Sequence, residues 1–239
     1  MMIIPAIDLK DGRCVRLRQG VMQDETVYSH DPAEVARRWE GEGAQLLHLV
    51  DLNGAVDGVP RNRTAIESIV KSVSIPVQVG GGIRGLDTLS SYLASGISRV
   101  VLGTAVLADP ALLEEACRCF PGRIIVGIDA KQGKIAVKGW TDVVDQDAAA
   151  FVERLAGLAI HAVIYTDIAR DGMMEGPNLE GLRRMVRACP VPLIASGGIT
   201  RLEDLKQLRM LGPKVIGAIV GKALYEGVIE LRSAMAASV

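Results

Sequence analysis

Residues 77–89 read VQVGGGIRGLDTL and residues 193–205 read LIASGGITRLEDL, one phrase written twice, with Gly197 standing 116 positions after Gly81. Each copy runs from an apolar stretch through two glycines and an isoleucine into a Leu-spaced, helix-like segment. The repetition extends outward. IIPAIDLKDGR (3–13) matches IIVGIDAKQGK (124–134), which sets Asp8 over Asp129 at an offset of 121. Asp51 in HLVDL falls over Asp167 in IYTDI at an offset of 116, and Gly103 in VVLGTAVL falls over Gly221 in AIVGKALY at 118. Near-constant offsets across four successive motifs mark a duplicated half.

Short Val/Ile-rich runs recur at roughly 2–8, 46–51, 76–80, 99–103, 123–129, 162–167, 192–196 and 215–220. They are continuous apolar runs rather than alternations, as expected of strands covered on both faces. Amphipathic stretches lie between them, 32–43 and 146–159 among them. Strand–helix alternation repeated about eight times predicts an α/β fold, a (βα)8 TIM barrel built from two duplicated half-barrels. A doubly wound open sheet is the competing arrangement, since periodicity alone cannot close a barrel. At 239 residues, with no Pro/Ser-rich linker, the chain reads as one barrel domain over 1–239. Strands 1 and 5, 3 and 7, and 4 and 8 then face each other. All the matched motifs fall at strand C-terminal ends, where barrel enzymes carry their sites. The stretches 10–30 and 130–145 read as long loops serving that face.

A formal net charge of −1 argues against a dominant attraction to nucleic acid or anionic membrane, and 3% aromatic residues leave no basic stripe with interleaved aromatics. No stretch approaches ~20 uninterrupted apolar residues. The start, MMIIPAIDLKDGR, has no basic region before a short apolar run, so a cytoplasmic address is expected. Cys14, Cys117, Cys119 and Cys189 form no CxxC pair, and His30, His48 and His161 are scattered, so neither zinc nor a disulfide framework is expected.

Gly80 to Gly85 satisfies GxGxxG, but SGGITR lacks the third glycine and no acidic ribose-binding residue follows at the required distance. The glycines suit a different task, letting backbone N–H groups approach an anion at a helix N-terminus. Ser196-Gly197-Gly198 and Gly221-Lys222 occupy the loops after strands 7 and 8, a common phosphate site in barrels. The duplication implies a second cradle from Gly81-Gly82 and Gly103-Thr104. Two cradles across one mouth suit an elongated substrate with a phosphate at each end. Asp8 and Asp129 end opposing strands between them, and paired carboxylates suit general acid–base chemistry. For Asp51, capping of its loop and a functional role stand level. No lysine occurs in HAVIYTD, which removes the Schiff-base aldolase version of the barrel.

With IPAIDLKDGRCVRL, HLVDL, VQVGGGIR, VLGTAVL, VKGW, TDIARDG, GPN, ASGGI and IVGKALYEG, the chain resembles, along essentially its whole length, the phosphoribosylformimino-5-aminoimidazole carboxamide ribotide isomerase family of histidine biosynthesis. The resemblance implies a cofactor-free Amadori rearrangement of an aminoaldose bisphosphate to its aminoketose, by a protein that is commonly a monomer. It makes Asp8 the base and Asp129 the acid, with Thr166 and Asp167 assisting. It places Arg16, Arg84 and Asp171 against the substrate and Trp140 on the fifth loop, where the indole can stack on the imidazole carboxamide and is expected to swing inward only with substrate.

Departures are few. Gly20 is followed by Val21 where the family often has Asp, and RDGM (Arg170 to Met173) replaces RDGT. Relatives that also isomerise phosphoribosyl anthranilate carry Arg where this chain has Lys138, which weakens a dual-substrate reading. The sister cyclase carries Lys at the position of Arg16 and CLDV in place of AIDL. A non-catalytic bisphosphate sensor would have little need of both Asp8 and Asp129.

Overall fold

The computed structural model describes residues 1–18, 20–103, 105–137, 139–140 and 142–238, the side chains of Arg18 and Ala105 aside. Thr104 and Lys138, singled out above, lie outside the described residues. The eight parallel strands are β1 (Met2–Lys10), β2 (Leu47–Asp51), β3 (Val77–Gly80), β4 (Arg99–Leu102), β5 (Ile124–Lys131), β6 (Ile160–Asp167), β7 (Leu193–Ser196) and β8 (Val215–Val220). Each pairs with the next in chain order, and β8 returns to β1 through Met2↔Gly217 to Pro5↔Val220. The sheet is therefore a closed barrel, and the open doubly wound alternative falls.

Strand alternation sorts the side chains. Ile3, Ile7 and Leu9 of β1 face the outer helices, in the large core between sheet and helices. Ile4 and Ala6 point the other way and meet Leu46, Val101, Ile125, Ala162, Ile164, Ile194 and Ile219 inside the barrel. A fully buried Ile such as Ile7 contributes about 1.5–3 kcal/mol. The same inward parity, carried two residues further, delivers Asp8, Asp129 and Thr166 to the mouth.

Two expectations need correction. The stretches 10–30 and 130–145 are largely strands. Arg13–Arg18 pairs antiparallel with the end of β1 and with Val21–Ser29. Lys134–Val137 likewise pairs with the end of β5 and with Asp142–Asp147. Asp11-Gly12 (φ 50 and 76) and Gln132-Gly133 (φ 53 and 80) supply the positive φ angles that a two-residue type I′ hairpin turn requires. The hairpins are themselves part of the duplication. The helix expected over 146–159 is confined to Ala148–Glu153, because the hairpin strand runs to Asp147, which caps the helix by accepting from the Ala150 amide. Beyond Glu153 the chain turns through bonds from Leu155 N to Val152 O and from Leu158 N to Leu155 O. The helix expected over 32–43 is Pro32–Gly41, with Asp31 as its cap. Among the described residues, no helix is long and apolar enough to cross a membrane.

Candidate active site

The barrel mouth holds a cavity of about 240 Å³, lined by Asp8, Arg16, Gly81, Gly82, Arg84, Gly103, Asp129, Trp140, Thr166, Asp171 and Ser196 among others. A smaller recess beside it is lined by Arg16, Asp171, Ser196, Gly197, Gly198, Gly221 and Lys222. The first glycine pair thus lines the cavity and the second the recess, and Arg16, Asp171, Ser196 and Ile219 line both. The Lys222 Nζ donates to the Gly172 carbonyl at 3.3 Å, which holds the ammonium beside the recess.

The carboxylates differ in their company. Arg16, on the first hairpin, donates from Nη1 to Asp8 Oδ2 at 2.7 Å. Burial pushes the Asp8 carboxyl above the usual range, and Arg16 opposes that rise. The same guanidinium lies over Gly221, where an added Cβ would come within 1.4 Å of its Nη2. Arg16 therefore joins Asp8 to the glycine turn after β8. Asp129 has no ion pair among the described residues. Burial raises its pKa too, against hydrogen bonds from the Trp140 and Thr166 side chains. A buried carboxyl without a cation holds its proton more readily than one with an arginine.

Asp171 completes the group. Burial pushes it up to about 6; Arg16 opposes the rise, and the charges of Asp8 and Asp129 add to it. Its folded pKa exceeds the ordinary value, so folding takes up a proton here. The contribution to stability is greatest at low pH and declines as pH rises from about 4 to about 6. Asp171→Asn should therefore raise the melting temperature at pH 7 by roughly 2–4 °C, about 1 kcal/mol, with the gain vanishing near pH 4. Melting curves across that window check the sign.

Trp140 adopts φ 74, and its ring packs on Gly20, where a Cβ would meet Cε3 at 2.3 Å. The two hairpins meet there, and the indole already lines the cavity and hydrogen-bonds Asp129. Arg84 lies over Gly58, whose added Cβ would come within 2.1 Å of its Nη1.

Asp51 and Asp167 take another part. Neither lines the cavity. Asp51, 0% exposed, accepts from the amides of Gly54 (2.8 Å), Arg61 (2.7 Å) and Asn62 (2.9 Å) and from Asn62 Nδ2 (2.7 Å). Asp167 accepts from the Ala169 amide at 2.9 Å and from Asn178 Nδ2 at 2.6 Å. For Asp51 the capping role prevails, and Asp167 is its counterpart. Asn62 and Asn178, themselves 116 apart, are the partners that sequence reasoning missed; their matching offset was the available signal. The carbonyls of the same aspartates press on the cradles. A Cβ on Gly81 (φ 105) would lie 2.2 Å from the Asp51 oxygen, and one on Gly197 (φ 90) 2.8 Å from that of Asp167. Gly81→Ala and Gly197→Ala should each cost more than ~1 kcal/mol and weaken phosphate binding. Gly85→Ala, with nothing within 4 Å of the added carbon, should be near neutral in thermal unfolding.

Also unmarked in the sequence reading was the cavity floor, formed by Ala6, His48, Val50, Val101, Gly127, Ile164 and Ile219. His48 is its one polar side chain. Strand parity, with Leu47 and Leu49 facing the helices, was the signal for its inward direction. Among the described residues no group of three His, Cys, Asp or Glu side chains could hold a metal ion.

The family described as "Histidine biosynthesis protein" matches residues 2–230. A protein of Geobacter sulfurreducens is 54% identical over 237 residues, which cover 99% of this chain and 97% of that one. A protein of Syntrophotalea carbinolica is also 54% identical, over 99% of this chain and 98% of its own. A Methylobacillus flagellatus protein is 51% identical over 239 residues, 99% and 97% of the two chains. All three carry the name 1-(5-phosphoribosyl)-5-((5-phosphoribosylamino)methylideneamino)imidazole-4-carboxamide isomerase. With duplicated half-barrels, paired glycine turns and the mouth carboxylates Asp8, Asp129 and Asp171 alongside these matches, the chain belongs to the histidine biosynthesis protein family.

Proposed function

We propose that this protein catalyses the Amadori rearrangement of the aminoaldose 1-(5-phosphoribosyl)-5-((5-phosphoribosylamino)methylideneamino)imidazole-4-carboxamide to its aminoketose, its relatives being named as isomerases of that compound. One observation carries the reading: two half-buried carboxyls across the mouth, Asp8 paired with Arg16 and Asp129 without an ion pair among the described residues, share a cavity lined by one glycine pair and adjoined by a recess lined by the other. The cradles hold the terminal phosphates through backbone N–H groups, with Lys222 and Arg84 adding charge. Asp129 gives its proton to the ribose ring oxygen, the C1–O bond breaks, and the nitrogen lone pair forms an iminium. Asp8 then takes the C2 proton to leave an enolamine, which tautomerises to the ketone. Thr166 and Trp140 orient Asp129, and the Trp140 indole stacks on the imidazole. Arg16 keeps Asp8 ionised, while Asp171 faces the same substrate segment. The chain works as a single barrel unit, a monomer in the cytoplasm, on a small bisphosphate and without a cofactor.

The test is turnover of the aminoaldose by the wild-type protein, with phosphoribosyl anthranilate run in parallel. Formation of the aminoketose supports the reading. Tight binding without turnover of either compound replaces it with a bisphosphate sensor. Turnover of both makes the enzyme bifunctional.

A further inference from the structure

A bisphosphate bound between two cradles related by a duplication faces a problem of direction. The first cradle (Gly81, Gly82) and the second (Gly197, Gly198) descend from one motif, so the ends of the substrate meet similar backbone. Only one direction puts the sugar to be opened between Asp129 and Asp8. Beneath them the two halves differ. His48 occupies the position of Ile164, and Gln78 that of Ile194, each at an offset of 116. Two aliphatic positions of one half are thus a polar pair in the other.

The pair is expensive to keep. Gln78 is 0% exposed and His48 8%. Gln78 Nε2 donates to His48 Nδ1 at 3.0 Å, and the Gln78 Oε1 finds no partner among the described residues. A buried amide oxygen left unpartnered is destabilising, a cost that a second Ile would avoid. An amide nitrogen can only donate, so Nδ1 must accept and the imidazole proton sits on Nε2. With Nδ1 held toward β3, the ring turns its other edge to the cavity it lines. Burial, and then the charge of Arg16, push the imidazole down to about 4, so the ring is neutral when the enzyme works. Its register neighbour is Ala6, two residues below Asp8.

We propose that His48 and Gln78 set the direction in which the bisphosphate binds: Gln78 is a positioning residue that fixes the His48 ring so that its Nε2–H donates to an acceptor oxygen in the middle of the substrate, on the Asp8 side. This rests on the isomerase reading above. The twin half, with Ile164 and Ile194, offers no such donor, so the reversed substrate leaves its oxygen unpaired over hydrocarbon. Specificity of this kind comes from an unpaired polar group in the wrong mode as much as from a bond in the right one.

The experiment compares wild type with His48→Ile, Gln78→Ile and the double variant, which gives both halves isoleucine at these two positions. Each single variant should lower kcat at least ten-fold, because reversed and unreactive binding becomes common. Affinity for the aminoketose product should change less than three-fold, since both phosphates remain held. The double variant should be no worse than His48→Ile, since Gln78 acts through His48. The 15N signals of the wild-type His48 ring, assigned by their loss in His48→Ile, should show a protonated Nε2 and a bare Nδ1. The proposal is overturned by Gln78→Ile keeping kcat within two-fold, by losses that multiply in the double variant, or by a protonated Nδ1. A Gln78→Ile that does not fold leaves the tautomer and His48→Ile to decide. Wild type inert on the aminoaldose would overturn the isomerase reading itself; an active wild type matched by its variants would overturn the direction proposal alone.

Discussion

Asp129→Asn is expected to lower kcat by ~10²–10⁴ while leaving the protein at least as stable as wild type, since each general acid or base supplies about that factor. The amide keeps the shape of the carboxyl and can still bond Thr166 and Trp140, but it has no proton of useful acidity for the ribose oxygen. It also removes a desolvated carboxyl that has no ion pair among the described residues. Asp8→Asn should lose activity on the same scale for the opposite reason, having no basic oxygen for the C2 proton. Its stability should differ, because the Arg16 guanidinium, bound to Asp8 at 2.7 Å, loses its partner in a largely enclosed place. The two variants are therefore alike in kcat and distinct in melting temperature. Asp129→Asn retaining turnover within ten-fold of wild type would remove it from the acid role. The pH profile carries the same logic. Burial raises both carboxyls, so the acid limb of kcat/KM, where Asp8 gains its proton, should lie above the usual range near pH 4. The alkaline limb, where Asp129 loses its proton, should vanish or move in Asp129→Asn.

Asp51→Ala carries the largest expected effect on stability. Its carboxylate is 0% exposed and takes donors from Gly54, Arg61 and Asn62. Truncation leaves those N–H groups without an acceptor, each costing about 1–3 kcal/mol. Allowing for relaxation, the loss is on the order of 4 kcal/mol, a fall of roughly 8–16 °C in melting temperature for a chain of this size. Asp167→Ala should lose less, because its carboxylate serves the Ala169 amide and Asn178 Nδ2 rather than three backbone groups. The order of the two twins is thus a test of the hydrogen-bond accounting. A fall of under 3 °C for Asp51→Ala, measured by thermal unfolding, would show that the loop behind β2 holds without it. Asp51 also presses its carbonyl on Gly81, so phosphate affinity at the first cradle should weaken alongside stability.

Much of this was legible before any coordinates. The offsets of Gly81 and Gly197, Asp8 and Asp129, and Gly103 and Gly221 required a repeated half. The continuous apolar runs required strands covered on both faces. Strand ends were located to within about two residues because apolar runs stop where the chain meets loops and water. The hairpins after β1 and β5 were less legible: Val21–Ser29 and Asp142–Asp147 are polar ribbons with little buried area, so hydropathy does not announce them. The turn residues Asp11-Gly12 were an available signal for the first of them, which the loop reading of 10–30 passes over.

Local composition and the repeat by themselves determined the strand–helix alternation, its two halves and the set of aspartates at the strand ends; closure into a barrel came from the pairing of β8 with β1. Only the tertiary structure decided which aspartates face the cavity. Asp8 and Asp129 share parity with Ala6 and Gly127, while Asp51 and Asp167 stand one residue past Val50 and Thr166 and turn outward to hold their loops. One residue of parity moves a side chain from one face of a strand to the other. The closed sheet, through its register, decides which face looks into the mouth.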